Sequence, residues 1–195
     1  MPCVSIHLAV AKKYLENHPE ENTTDFVMGS IAADFSEDEI SVKDYITLTS
    51  DDKNARHFGL TNQANNIIDY MKKKVDLGLF LKNNEINNSF MRAYFLHLLC
   101  DYYFFGDYIY DDKLSKYPLK DAVMMGYNDY SLITPILIEK YNLDVPEVAR
   151  KYTDLKGTGE ISFLKVDLVD KFISDMASLD LEEEKEKYIN TNTIK

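Results

Sequence analysis

Residues 95–105 read FLHLLCDYYFF, and this stretch decides how the chain folds. Its His97 and Asp101 stand four residues apart in a run that is otherwise apolar or aromatic. Residues four apart on a helix lie on the same face. A helix that is apolar on most sides is typically buried, where an unpaired carboxylate costs roughly several kcal/mol. The pair therefore predicts either a buried His–Asp hydrogen bond or a metal site, because imidazole and carboxylate both bind zinc-like cations.

The other histidines extend this pattern outward along the chain. Of the four histidines, His7 and His57 also lie in apolar surroundings. His18 stands in a polar stretch before Pro19 and is interpreted as a solvated loop residue. Histidine is buried less often than Leu or Ile. A chain that places three of its four histidines among apolar residues is therefore predicted to gather them at one place.

Asp34, which follows the apolar stretch 26–33, joins the three histidines and Asp101 as a polar residue in apolar surroundings. The candidate metal ligands are therefore His7, Asp34, His57, His97 and Asp101. Three imidazoles and two carboxylates suffice for one or two ions. Such a donor set suits zinc, manganese or iron better than calcium. A catalytic zinc keeps three protein ligands and an open position for water. Two such ions about 3.5–4 Å apart clamp the attacking and leaving oxygens of a phosphoester reaction.

Composition favours a single α-helical domain. The chain has 195 residues, of which 45% are hydrophobic and 28% charged, as in ordinary globular domains. It contains only seven glycines and five prolines, and so few breakers favour long helices over a turn-rich β architecture. The net charge of −11 argues against binding to double-stranded nucleic acid. It does not exclude a small anionic substrate, because a bound dication dominates the local field.

Cysteine usage and hydropathy indicate the setting of the chain. Two cysteines, Cys3 and Cys100, do not make a disulfide framework, and Cys100 is interpreted as an inert buried thiol. No basic start precedes an apolar signal segment. No apolar run reaches the roughly 18 to 20 residues of a transmembrane helix. We therefore expect a soluble, cytoplasmic protein.

Apolar periodicity predicts a series of helices. They are expected at 4–17, 26–33, 62–81, 85–106, 119–127, 132–140 and 161–179, with a further helix opening at Pro146. The stretch 132–140 contains Pro135 and is predicted to start or kink there. Gly29 and Ser30 in the second helix would let another backbone approach closely.

The remaining stretches of the chain lack helical periodicity. Residues 35–54 are polar and acidic and are predicted to form a long loop at a functional rim. The charged tail from Glu182 onward is expected to fray. We predict one all-α multi-helix bundle over residues 1–195, with a metal-site half of about 1–110 and C-terminal helices at about 117–190.

Four short pieces of the sequence resemble the bacterial zinc-dependent phospholipase C family, whose wider superfamily includes the zinc-dependent single-strand nucleases. They occur in the family's order and at similar separations, and they are Ile6-His7-Leu8, the turn Gly29–Asp34, Arg56-His57-Phe58 and the helical piece AYFLHLLCD at 93–101. The resemblance covers the chain from its N-terminus to about residue 105. It implies an all-α fold in which metal ions activate a water for attack on a phosphodiester.

The resemblance also implies roles for individual residues. It implies metal ligands at four positions, namely Asp34, His57, His97 and Asp101. Asp101 would bridge two ions, His7 would hold a further ion, and Asp34 would orient or deprotonate the attacking water. Secreted family members carry another His six residues past the position of Asp101. This chain has Asp107 there, which is either an additional ligand or a surface acid, so one or two ions fit better than three.

The sequence therefore predicts a metal-dependent, zinc-type hydrolase of a phosphodiester or phosphoester, with a small phosphoester or a lipid head group as substrate. The alternative is a non-catalytic helical metal-binding or interaction protein that has lost part of the metal cluster. A helical phosphohydrolase of the HD type is disfavoured, because the chain contains no adjacent His-Asp pair. The aromatic residues 102–105 either line a substrate cleft or belong to the core.

Overall fold

Every regular element in the described part of the chain is a helix, which confirms the all-α prediction. The structure, a computed structural model, describes residues 3–34, 46, 53–108, 116–143 and 166–192. The α-helices are α1 (Val4–Asn17), α2 (Thr23–Ala32), α3 (Lys53–Arg56), α4 (Ile67–Lys72), α5 (Leu77–Asn83), α6 (Ser89–Tyr103), α7 (Leu119–Tyr141), α8 (Val166–Ala177) and α9 (Leu181–Asn192). A 3-10 turn at Thr61–Gln63 and a π-helical turn at Phe104–Tyr108 complete the set.

Helix α6 lies in the middle of the core, as the apolar stretch predicts. It begins where the Asn88 side chain accepts a hydrogen bond from the Met91 backbone N–H. Most of its residues from Phe90 to Asp101 are buried, on all sides of the helix. Such a helix is stabilised by packing rather than by an amphipathic face. The residues that would carry the site are therefore held in a rigid environment.

Helices α2 and α6 pack with their backbones close together. A Cβ atom added to Gly29 would lie 2.2 Å from the carbonyl oxygen of Phe90, so only glycine fits there. Ser30 beside it is buried as well. The side chain of Asn22 caps the start of α2 by accepting from the Asp25 N–H. The close approach expected from Gly29 and Ser30 is thus confirmed, and its partner is α6.

Helix α1 contacts α2, α6, α7 and α8 and ties the two halves of the sequence together. Its buried residues lie on most of its circumference, from Ser5 to Ala11 and at Tyr14. The helix ends at Asn17, before Pro19, as predicted. Its position brings His7, near its start, into the interior.

The predicted helix at 62–81 is wrong, because the structure has separate short helices there. Helix α4 ends at Lys72, and α5 begins only at Leu77. The Asp76 side chain accepts a hydrogen bond from the Leu79 N–H, which starts a new helix at that point. The break also allows the backbone at Gly59 to lie against Lys74, where an added Cβ would be 2.3 Å from the carbonyl oxygen.

The two helices predicted at 119–127 and 132–140 are one continuous helix, α7, with Pro135 inside it. Proline removes one backbone donor and disfavours a helix interior. Its neighbours Ile133 and Leu137 are both buried, one turn apart, and burying that face outweighs the lost hydrogen bond. The helix ends at Asn142, which adopts the left-handed conformation (φ 45°) typical of a C-terminal cap.

The charged tail does not fray at Glu182, contrary to the prediction, but forms helix α9. The Asp180 side chain accepts hydrogen bonds from the N–H groups of Glu182 and Glu183. Leu181 and Glu184 are buried, and α9 packs against α5. The tertiary contact and the cap supply stability that the polar sequence pattern does not reveal.

Several predicted segments fall partly or wholly outside the described residues. The loop at 35–54 lies outside them except for Ile46, which is buried, and residues 53–54, which begin α3. The helix opening at Pro146 and residues 161–165 also lie outside. Helix α8 confirms the predicted helix at 161–179 over residues 166–177, and the helix ends two residues earlier than predicted. Among the helices that the structure describes, none has the length and apolar character required to cross a bilayer.

Candidate metal centre

The structure brings the five candidate ligands together from four separate segments. His7 lies in the second turn of α1, Asp34 follows the end of α2, His57 follows α3, and His97 and Asp101 lie on α6. His97 Nε2 is 3.9 Å from Asp101 Oδ2, as their spacing on one helical face requires. His18, interpreted as a loop residue, lies elsewhere, at the end of α1 beside Glu20.

Asp101 lies between two imidazoles that come from distant parts of the chain. His7 Nε2 is 3.3 Å from Asp101 Oδ1, and His57 Nε2 is 3.4 Å from Asp101 Oδ2. His57 Nε2 is also 3.3 Å from His97 Nε2. The rings of His7 and His97 stack with their centroids 3.7 Å apart. Three imidazole edges therefore converge on one buried carboxylate.

Asp34 closes the other side of this cluster. Its Oδ2 is 3.7 Å from His7 Nε2, and its Oδ1 is 3.6 Å from His57 Nε2. The turn that ends α2 sets its position, where the Asp34 N–H donates to the Ile31 carbonyl. The Asp34 side chain is 8% exposed, whereas that of Asp101 is fully buried. Asp34 is therefore the more exposed of the two carboxylates.

Several polar atoms of the cluster are buried without a hydrogen bond. Among the described residues, neither ring nitrogen of His7 and neither carboxylate oxygen of Asp101 has a hydrogen-bond partner. Leaving such atoms buried and unsatisfied costs about 1–3 kcal/mol each. Direct coordination of a metal ion would satisfy both carboxylate oxygens and one His7 nitrogen at once. The donor set and its unsatisfied atoms therefore fit a zinc-type ion.

His97 is held in the orientation that a metal ligand requires. Its Nδ1 donates a hydrogen bond to the backbone carbonyl of Ser30, 2.7 Å away. This bond fixes the proton on Nδ1, and the lone pair of Nε2 then points to the cluster. Such a carbonyl partner is the usual support of a metal-binding histidine.

The cluster keeps its carboxylates ionised and His97 neutral. Burial alone would raise the pKa of Asp101, but the contact with His7 and the charges of the neighbouring histidines lower it to about 2. Burial likewise opposes ionisation of Asp34, yet the contact with His57 and the nearby histidines hold its pKa well below the usual value. Burial and the proximity of His7 lower the pKa of His97 to about 3. Ionised carboxylate and neutral imidazole are the forms that bind metal.

A strained and tightly packed segment positions His57. Phe58, directly after it, has a φ of 57° in the left-handed region, which costs a bulky residue about 1–2 kcal/mol. The Phe58 ring is buried against Phe80. The Tyr94 hydroxyl donates to the Arg56 carbonyl at 2.7 Å, just before His57. Core packing and this hydrogen bond therefore hold the strained backbone in place.

The ligand atoms fall into two overlapping groups, each close enough to hold one ion. Within each group the ligand atoms lie within 4.8 Å of one another, and the groups are His7, His97 and Asp101 in one and Asp34, His57 and His97 in the other. His97 belongs to both but has only Nε2 available, so it can bind a single ion at a time. The geometry thus accommodates one ion, or two ions that share the remaining donors.

Sequence reasoning did not assign roles to two residues that support the cluster. Ser30 contributes a backbone carbonyl, and Tyr94 anchors the peptide before His57. The role of Ser30 depends on its backbone carbonyl, which every residue has, so the sequence does not reveal it. A tyrosine in an apolar helix, such as Tyr94, is normally interpreted as a core residue. Asp107 lies in the π-helical turn, but its side chain is outside the described residues, so its role as an additional ligand stays a prediction.

Comparisons of this chain with protein-family models, with curated proteins and with solved structures find no match in any of the three.

Proposed function

We propose that the chain is a metal-dependent hydrolase of phosphodiesters or phosphoesters, with one or two zinc-type ions held by the five-residue cluster. One observation carries the proposal. Three histidines and two carboxylates from four separate segments converge in the interior, and buried polar atoms of His7 and Asp101 have no hydrogen bond among the described residues. The order of these residues along the sequence supports the resemblance to zinc-dependent phospholipases C.

His7, His57, His97, Asp34 and Asp101 would hold the metal. When bound, a zinc-type ion supplies a water of lowered pKa and a Lewis acid for phosphoryl oxygens. The Ser30 carbonyl keeps His97 in the binding tautomer. Tyr94 holds the peptide that carries His57. Manganese and iron would fit the same donors.

Asp34 is assigned the proton-handling role in this proposal. It is the most exposed of the five ligands, so its carboxylate is the one that a water approaching the cluster reaches first. Its lowered pKa keeps it ionised at neutral pH. A weakly basic carboxylate orients a water in the ground state and takes its proton only as the bond to phosphorus forms.

Burial of the cluster supports a second candidate, a metal site that only stabilises the fold. The side chains of His7, His97 and Asp101 are fully buried and that of His57 is 3% exposed. A structural zinc site is closed by four protein ligands and has no labile water. Five available donors are enough to close one such site. Turnover of a substrate separates this candidate from a hydrolase.

The test uses the purified chain loaded with stoichiometric zinc and a bis-aryl phosphodiester, bis(p-nitrophenyl) phosphate. Asp34→Ala and His97→Ala should each lower hydrolysis by about a hundredfold or more. His18→Ala is the matched control and should keep full activity, because His18 lies outside the cluster. EDTA should abolish turnover. Activity that survives EDTA and both substitutions would contradict the proposal, and zinc binding without turnover would favour the stabilising site.

A further inference from the structure

Arg56 is a buried cation directly beside a proposed metal ligand. It ends α3, immediately before His57, and is only 6% exposed. Among the residues that the structure describes, its guanidinium makes no ion pair, and its Nε has no hydrogen-bond partner. Arginine carries its charge at all ordinary pH values, so burial cannot be relieved by losing a proton. A guanidinium that is buried with its Nε unsatisfied among the described residues is costly, and an anion would relieve that cost.

The position of Arg56 relates it to the metal centre. Its carbonyl accepts the hydrogen bond from Tyr94, whose ring centroid is 6.5 Å from that of His97. Burial raises the pKa of Tyr94, and the charges of Arg56 and Asp34 then act on it in opposite directions. Asp34 is also the ligand on the more exposed side of the cluster.

The charge balance of the centre favours an anionic ligand. The two carboxylates of the cluster offset a single divalent ion, and a second ion would leave two positive charges. Arg56 adds a further positive charge in either case. The chain as a whole carries a net charge of −11, which repels anions from its surface. A local excess of positive charge at the metal centre is therefore what would draw an anion to it.

We infer that the Arg56 guanidinium binds the phosphoryl oxygens of the substrate beside the metal ions. This inference rests on the function proposed above and names the group that recognises the substrate. A guanidinium offers paired donors whose geometry matches two oxygens of a phosphate, whereas an imidazole or a lysine offers a single point of contact. Arg56 is thus a substrate-binding residue, separate from the five metal ligands.

The test measures binding of inorganic phosphate to the zinc-loaded chain by calorimetry, at constant ionic strength and after removal of free zinc. Arg56→Gln should weaken phosphate binding by about tenfold or more, because a charge-assisted hydrogen bond is lost. Arg56→Lys keeps the charge but not the paired donors. Its phosphate affinity should therefore lie between that of the wild type and that of Arg56→Gln. Lys120→Gln, an exposed site with the same change of charge, should bind as the wild type does.

Zinc stoichiometry is measured on each protein first, so that a loss of zinc can be distinguished from a loss of phosphate binding. Arg56→Gln or Arg56→Lys with a full complement of zinc and unchanged phosphate affinity would overturn the inference, even if the wild type hydrolyses phosphoesters. If Arg56→Gln does not retain zinc, Arg56→Lys decides the outcome. Phosphate binding that depends on Arg56 without any hydrolysis would support the inference and overturn the proposed function.

Discussion

The backbone carbonyl of Ser30 in α2 accepts a hydrogen bond from Nδ1 of His97 in α6, at a distance of 2.7 Å. The bond joins a small-residue stretch of one helix to a candidate metal ligand on another. It exists because Gly29 lets the two backbones approach. The packing of α2 on α6 and the chemistry of His97 are therefore one structural unit.

We expect Gly29→Ala to damage both stability and metal binding. The added methyl group would lie 2.2 Å from the Phe90 carbonyl oxygen, so α2 must move away from α6. The free energy of unfolding should fall by about 2 kcal/mol or more, as overpacking does. Urea denaturation with and without zinc measures both effects.

The matched control is Gly106→Ala, since a Cβ there meets no atom within 4 Å. It should be neutral or stabilising by up to about 1 kcal/mol, because alanine is the better helix former. Equal effects of the two substitutions would show that the close approach of α2 and α6 is not what limits position 29.

Zinc should stabilise the folded chain through the buried cluster. Free zinc at a hundred times its Kd should raise the free energy of unfolding by about 2.7 kcal/mol. Asp101→Asn should remove most of this gain, because Asp101 contacts His7, His57 and His97. Thermal or urea unfolding over a range of zinc concentrations measures this zinc-dependent increase in the free energy of unfolding. His18→Ala should retain the full stabilisation by zinc. If His18→Ala also loses it, zinc acts at a site other than the cluster.

Tyr94→Phe should loosen the segment that carries His57. The substitution removes the hydrogen bond to the Arg56 carbonyl, and the loss of a buried partner costs about 1–3 kcal/mol. Zinc affinity should drop by about tenfold, as for other groups that support a metal ligand. Calorimetric zinc titration and urea unfolding give the two numbers. Tyr127→Phe, at a side chain 58% exposed, should change neither; a drop of the same size there would count against the interpretation.

The two cysteines should differ sharply in reactivity. Burial and the nearby Asp101 charge raise the pKa of Cys100 well above its usual value, so little reactive thiolate forms. Cys3 is partly exposed, although it contacts Ser5 and Thr134. A thiol reagent at pH 8 should therefore modify Cys3 in the native chain and both cysteines after denaturation. Cys3→Ala should abolish the native reaction. Native labelling of Cys100 at the rate of Cys3 would refute the buried placement of its thiol.

The sequence alone was enough to predict the helical class, the buried central helix and the five candidate metal ligands. Each depends on local spacing. Residues 95–105 are apolar around most of the helix, and His97 and Asp101 share a face because they are four apart. The apolar surroundings of His7 and His57 pointed to the interior, and there the structure brings them within 3.3–3.4 Å of Asp101.

Only the tertiary structure decided which backbone and side-chain groups support these residues. The Ser30 carbonyl reaches His97, and α9 forms at the C-terminal end, because of packing between segments far apart in sequence. The continuity of α7 through Pro135 likewise depends on buried neighbours rather than on local propensity. Spacing along a chain determines which face a residue occupies, whereas the partner of that face is set by long-range burial, which no local pattern encodes.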